Sequence, residues 1–75
     1  MELYRDIDGD SGVAAYENGL DYQKVEFKDG AVYLYTDRSA GRLNIQRMHE
    51  LARKGDGLNE YINRHVKEKF AAKLI

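Results

Sequence analysis

Four carboxylates near the amino terminus stand where a calcium loop would place them. Asp6, Asp8, Asp10 and Glu17 occupy positions one, three, five and twelve of the stretch DIDGDSGVAAYE, with Val13 at the apolar eighth position. In an EF-hand such oxygens close around a single Ca2+ ion. Three features speak against calcium here. The sixth position is Ser11, where the sharp turn calls for the positive φ of glycine. Only residues 1–5 precede the pattern, too few for an entering helix. Residues 12–17 also suit a strand, which would carry Glu17 away from Asp6. The expectation is a frayed acidic tail over residues 1–10, with no metal and no cofactor.

Other catalytic chemistry is sparsely provided. The chain has no cysteine, so thiolate zinc sites, cysteine nucleophiles and disulfides are excluded. Its histidines are His49 and His65, and its serines are Ser11 and Ser39. No histidine stands at a recognisable spacing from a serine, so a nucleophile–base pair is not indicated. His65 falls beside Tyr61 at the margin of an apolar stripe and reads as a packing histidine. The chain is therefore expected not to be an enzyme.

What remains is binding chemistry. Residues 1–37 hold nine acids and three bases, a balance of −6, and residues 38–75 hold nine bases and four acids, a balance of +5; together they give the net charge of −1. A basic half can face nucleic acid, and it can equally attract the acidic half as the fold closes. No apolar run approaches the ~20 residues of a membrane span, and no basic-then-apolar leader opens the chain. A monomer in the cytoplasm is expected, with a protein or nucleic-acid partner and no membrane contact.

The elements that must position these groups can be read from the periodicity. Residues 12–17, 22–28 and 31–36 alternate as strands, punctuated by Asn18-Gly19 and Asp29-Gly30. A two-residue Asp-Gly loop favours a type I′ turn and would pair Phe27 with Val32 and Val25 with Leu34. One sheet face then carries Val25, Phe27, Val32 and Leu34, joined by Ala14 and Tyr16. The opposite face carries Tyr22, Lys24, Glu26, Tyr33 and Tyr35, joined by Val13 and Ala15. The second half changes period. With Ser39 as N-cap, Ala40, Gly41, Ile45, Met48, Leu51 and Ala52 share one helical side. Gly55 suits the left-handed position after the helix. Leu58, Ile62, Val66 and Phe70 step by four along a second helix. The expected fold is α+β, in one domain over residues 1–75. It is a three-stranded antiparallel meander followed by an αα-hairpin covering one sheet face, in the order β-β-β-α-α.

The runs DSGVAAYE, VEFKDGAVYLYT, SAGRLNIQRMHELA and GDGLNEYINRHV follow one another in a way that resembles the KTSC domain family. That family is named for a small domain at the C-terminus of some lysyl-tRNA synthetases, and it also occurs as free-standing bacterial and phage proteins. The resemblance spans about residues 10–72. Its most specific part is Gly55, Gly57, Leu58, Asn59, Tyr61, Ile62 and Asn63. It implies an α+β interaction module of undefined partner, with nucleic-acid binding suggested by the synthetase association, and it implies no catalytic residue.

Two candidate surfaces follow. The uncovered sheet face offers Tyr22, Lys24, Tyr33 and Tyr35, amphipathic rings with a lysine between them, suited to stacking on a base, an arginine or a peptide. The same tyrosines also serve a sheet as cross-strand neighbours. The first helix offers Arg42, Arg47, Arg53 and Lys54, compensated among themselves by Glu50 alone, as a patch for phosphate contact. Glu60, Arg64 and Glu68 on the second helix are spaced to pair with one another. Asn44 and Asn59 read as structural amides that pin a neighbouring loop or helix end.

Overall fold

The computed structural model of the chain describes residues 1–9 and 11–75, so Asp10 of the calcium-like pattern lies outside the described residues. In order it forms strands β1 (Glu2–Leu3), β2 (Val13–Asn18), β3 (Tyr22–Phe27) and β4 (Val32–Thr36). Helices α1 (Asp37–Ala40), α2 (Arg42–Lys54) and α3 (Leu58–Tyr61) follow, then a π-helical turn (Ile62–Val66) and strand β5 (Ala72–Lys73). The sheet is antiparallel in the order β1-β2-β3-β4-β5. The class is α+β as expected. The three-stranded meander is corrected to five strands, because each end of the chain returns to an edge.

The β3–β4 connection decides which side chains face the helices. Phe27 N–H donates to the Ala31 carbonyl at 2.8 Å, and Gly30 N–H donates back to the Phe27 carbonyl at 2.9 Å. The loop therefore holds three residues, Lys28, Asp29 and Gly30, with Gly30 at φ 95°, the positive φ that closes a three-residue hairpin. The register becomes Val25↔Tyr33, Lys24↔Leu34 and Gln23↔Tyr35, one residue from the expected Val25↔Leu34. Since side chains alternate with a period of two, that slip turns all of β4 over. Tyr33 and Tyr35 join Val25 on the helix side, and Leu34 moves to the outer face with Tyr22, Lys24 and Glu26. Gly30→Val should cost about 2 kcal/mol, because a β-branched residue is strained at positive φ. Gly30→Asn should cost less. Thermal melts of the two variants, compared with wild type, check the turn.

The β2–β3 register keeps the expected faces, with Tyr16↔Val25, but it shifts at a bulge between Val13 and Ala15. The bulge rotates Val13 inward, where it is fully buried, and this corrects its expected place on the open face. The Ala14 carbonyl at the bulge accepts Tyr4 N–H at 3.0 Å. The amino-terminal segment is thus tied down where a frayed tail was expected. Glu2 and Leu3 pair with Tyr16 and Ala15, and Tyr4 is buried in the core.

Thr36, not Ser39, starts the helical half. Its hydroxyl accepts Ser39 N–H at 3.0 Å, and Ser39 Oγ accepts Thr36 N–H at 3.1 Å, a reciprocal cap. Gly41, at φ 97° and ψ 138°, then breaks the helix and restarts it as α2. Of the expected stripe, Ala40, Ile45, Met48, Leu51 and Ala52 are buried while Gly41 is exposed, and Gly55 takes the left-handed cap position. Leu58, Ile62 and Val66 are buried at 0, 2 and 0% exposure. In a regular α-helix, residues four apart drift sideways. The wider π turn, closed by i→i+5 bonds, rotates each residue through a smaller angle and keeps these three in line. Phe70 lies beyond the helix and reaches the core from the return to β5.

The core is one cluster between the inner sheet face and the helices, running from Tyr4, Val13 and Tyr16 to Met48, Leu58 and Val66. Lys24–Glu17 and Lys28–Asp6 lie within the acidic half, and Arg47–Glu50 and Arg64–Glu60 lie within the basic half. These four pairs do not join the halves; apolar burial does so, together with hydrogen bonds such as Gln23 Nε2 to the Met48 carbonyl and Leu58 N–H to the Tyr4 hydroxyl. No helix among the described residues is long and apolar enough to cross a membrane.

Candidate functional site: an aromatic cleft

The reversed face of β4 builds a cleft. Phe27, Tyr33 and Tyr35 come from the sheet, Ile62 and Asn63 from the π turn, and Lys67, Glu68 and Phe70 from the segment that follows; together they line about 430 Å³. The rings meet edge to face: Phe27–Tyr33 at 5.7 Å, Tyr33–Phe70 at 4.8 Å and Tyr35–Phe70 at 6.4 Å between centroids. Such contacts favour one ring's positive edge against another's negative face. The Lys73 ammonium stands 5.8 Å from the centre of the Tyr33 ring, within cation–π range. Phe27, Tyr33 and Phe70 are half-buried, whereas Tyr35 is 2% exposed.

Burial pushes the Tyr35 hydroxyl up to about 12, with the Tyr33 hydroxyl adding to the shift. In the unfolded chain it would ionise near ~10. Below that pH both states are neutral and the group has no effect on stability. As pH rises from ~10 towards the folded value, the unfolded chain gives up a proton that the folded chain keeps, and stability is lost. Tyr35→Phe removes this loss. In urea unfolding at pH 8 and pH 11, wild type should lose about 1 kcal/mol more than Tyr35→Phe; equal losses would place the hydroxyl in water.

The expected tyrosine surface is therefore divided. Tyr22 and Lys24 remain on the outer face, where they are already engaged. Tyr22 O–H donates to Glu17 Oε2 at 2.6 Å, and Lys24 Nζ lies 3.8 Å from the same oxygen. The Tyr22 hydrogen bond and the Lys24 charge hold Glu17 below the usual carboxylate range, and Glu17 in turn raises Tyr22. Tyr33 and Tyr35 belong to the cleft on the other side of the sheet.

The expected basic patch lies along the exposed side of α2. Arg42 borders a depression with Leu20, Asp21 and Asp37, and Arg47 pairs with Glu50 at 3.5 Å. At the carboxyl end of α2, Arg5 Nη2 donates to the Arg53 and Lys54 carbonyls, each at 3.3 Å. Those carbonyls are unsatisfied within the helix. Sequence reasoning missed Arg5, because it lies in the segment expected to fray.

The described residues of the calcium-like pattern have separate surroundings. Asp6 Oδ1 accepts Ser11 N–H at 3.0 Å and Oδ2 pairs with Lys28 Nζ at 2.9 Å. Lys28 chiefly, with the Ser11 and Gly9 amides, holds this carboxyl below its ordinary value. Asp8 lines a small polar cleft with Ser11, Asp56, Gly57, Asn59 and Glu60, while Glu17 is on β2. Among the described residues, no group of three or more His, Cys, Asp or Glu side chains is placed to hold a metal ion.

The remaining polar side chains knit elements together. His49 Nε2 lies 2.8 Å from the Tyr22 carbonyl, whereas His65, expected to be a half-buried packing residue, is exposed, with its ring tilted against Tyr61 at 4.4 Å between centroids. Asn44 donates to the Ala40 carbonyl at 2.8 Å and accepts Tyr61 O–H at 2.6 Å, which ties α1 to α3. Gln23 was not singled out by its sequence context. It is fully buried and donates from Nε2 to Asn18 Oδ1 at 2.7 Å and to the Met48 carbonyl at 3.0 Å. Its Oε1 has no partner among the described residues.

Comparison with known protein families, with curated proteins and with solved structures finds no match to this chain.

Proposed function

We propose that the chain works as a monomeric, non-enzymatic interaction module in the cytoplasm, of the KTSC type its sequence resembles, and that its partner docks in the cleft between β4 and the π turn. The observation that carries this reading is the convergence of half-buried Phe27, Tyr33 and Phe70 on one concave surface. A concave apolar lining with a few polar groups is the usual form of a binding site, and the adjoining π turn belongs to a class of irregularity frequent at functional sites. His49 is engaged by the Tyr22 carbonyl, which supports the non-enzymatic part. The test is affinity capture from a bacterial lysate, followed by mass spectrometry. Tyr33→Ser and Lys67→Glu should abolish retention of the partner, while Tyr22→Ser leaves it intact. Retention that survives both cleft variants would refute the reading.

Nucleic-acid contact is the second reading. It is favoured by the placing of Lys67 in the cleft wall and of Lys73 against the Tyr33 ring. Cations beside stacking rings suit single-stranded chains, whose bases offer π faces and whose phosphates offer charge. The Arg42, Arg47, Arg53 and Lys54 side of α2 would add backbone contacts. Fluorescence anisotropy with a labelled oligouridine separates the two readings. Binding that weakens steeply with added salt and is lost on Lys67→Glu selects nucleic acid; no binding at low salt selects a protein partner.

A further inference from the structure

The segment that follows the π turn is mostly exposed to solvent. Of residues 67–75, only Phe70 and Ala72 are even half-buried; Leu74 and Ile75 are 46 and 75% exposed. Its backbone nevertheless adds to the edge of β4. Ala71 N–H donates to the Leu34 carbonyl and Leu74 N–H to the Val32 carbonyl, both at 2.7 Å, and Val32 N–H donates to the Ile75 carbonyl at 3.2 Å. Two side chains then address one ring. A bend at Ala71 lets Phe70 meet Tyr33 edge to face while Lys73, the residue paired with Tyr33, sets its ammonium against the same ring. Backbone bonds to a sheet edge combined with side chains in adjoining seats is how peptides are recognised by strand addition. The segment thus contacts its own protein much as a bound peptide would.

We infer that residues 69–75 act as an internal, displaceable ligand of the β4 edge, with Phe70 as a movable wall of the cleft that the partner's ring replaces. The inference rests on the docking reading above and names the partner's chemistry: an extended segment with an aromatic residue followed three positions later by lysine or arginine. Such a segment adds to the β4 edge, seats its ring against Tyr33 and Tyr35, and places its cation where Lys73 stands. Partner and carboxyl-terminal segment then compete, so the apparent affinity is lowered by the fraction of time the site is self-occupied. β5, with its two paired residues, is the natural element to give way, since a short and exposed strand opens at low free-energy cost.

The test uses the full chain with 13C-labelled aromatic residues and the acetylated peptide Lys-Glu-Lys-Phe-Ala-Ala-Lys-Leu-Ile, the sequence of residues 67–75, followed by NMR. The peptide should shift the Phe27 and Tyr33 ring signals. It should bind Phe70→Ala at least about fivefold more tightly than wild type, and Lys73→Ala about twofold more tightly, in line with one lost cation–π contact. Lys73→Ala keeps the test valid if Phe70→Ala fails to fold. The same peptide with alanine for phenylalanine should not bind. The inference is overturned if the peptide binds neither variant, if wild type binds it as tightly as the variants do, or if the alanine peptide binds equally well. In any of those cases millimolar indole distinguishes the causes. Ring shifts with indole leave the cleft standing as a docking site without its internal ligand; no shift removes both.

Discussion

Tyr35→Ala is expected to destabilise the fold by about 3–5 kcal/mol, the usual result of deleting a buried aromatic ring. At roughly 4–8 °C per kcal/mol for a domain of this size, the melting temperature should fall by at least about 12 °C. The ring is 2% exposed and packs on Tyr33 and Phe70, so its loss opens a cavity between sheet and helices. Leu34→Ala, one residue away on the outer face, should cost about 1 kcal/mol or less. The comparison decides the hairpin register. A two-residue loop would bury Leu34 and expose Tyr35, and the two variants would then exchange their effects.

Tyr4→Ala should cost about 3 kcal/mol, although the residue stands fourth in the chain. Its ring is 6% exposed within the core, and its hydroxyl accepts Leu58 N–H at 3.2 Å. That N–H is one of the unsatisfied donors at the start of α3, where the cap residue, Gly57, has no side chain to offer. Tyr4 therefore supplies from a distant segment the acceptor a serine or aspartate would give locally. Tyr4→Phe should keep most of the packing and lose about 1–3 kcal/mol for the orphaned donor. Urea unfolding of both variants measures the two contributions separately. Melting curves that match wild type would mean that the amino-terminal segment is not part of the fold.

The long periodic elements were legible in the sequence. The stripe Ile45, Met48, Leu51 and Ala52 and the steps of four through Leu58, Ile62 and Val66 each predicted buried residues correctly, because an amphipathic period leaves one placement for the apolar face. The faces of β4 were not legible, for a definite reason. In VYLYT, Val32 and Leu34 alternate with Tyr33 and Tyr35, and both sets are apolar enough to be buried. The pattern therefore accepts either register. The choice falls to the Asp29-Gly30 loop, where a glycine at positive φ suits both a two-residue and a three-residue hairpin. Pairing Phe27 with Ala31 settles it, and no local propensity encodes that bond.

The edge strands escaped for a different reason. Two residues carry no period, so β1 and β5 could be found only from their partners across the sheet. The cleft was half legible as a result. Tyr33 and Tyr35 were chosen for chemistry that suits them, but they were placed on the wrong side of the sheet. Phe70 was assigned to a helix, and Lys67 was not singled out. Their meeting with Phe27 depends on the register of β4 and on the return of the chain to its edge.

The docking claim is tested most directly by ring resonances. With 13C-labelled phenylalanine and tyrosine, the protein retained by affinity capture is titrated into the chain and each ring signal is followed. The cleft predicts that Phe27, Tyr33 and Phe70 move together while Tyr22, on the outer face beside Glu17, stays in place. Movement of Tyr22 with the three cleft rings unchanged would contradict it and return the binding surface to the open face of the sheet.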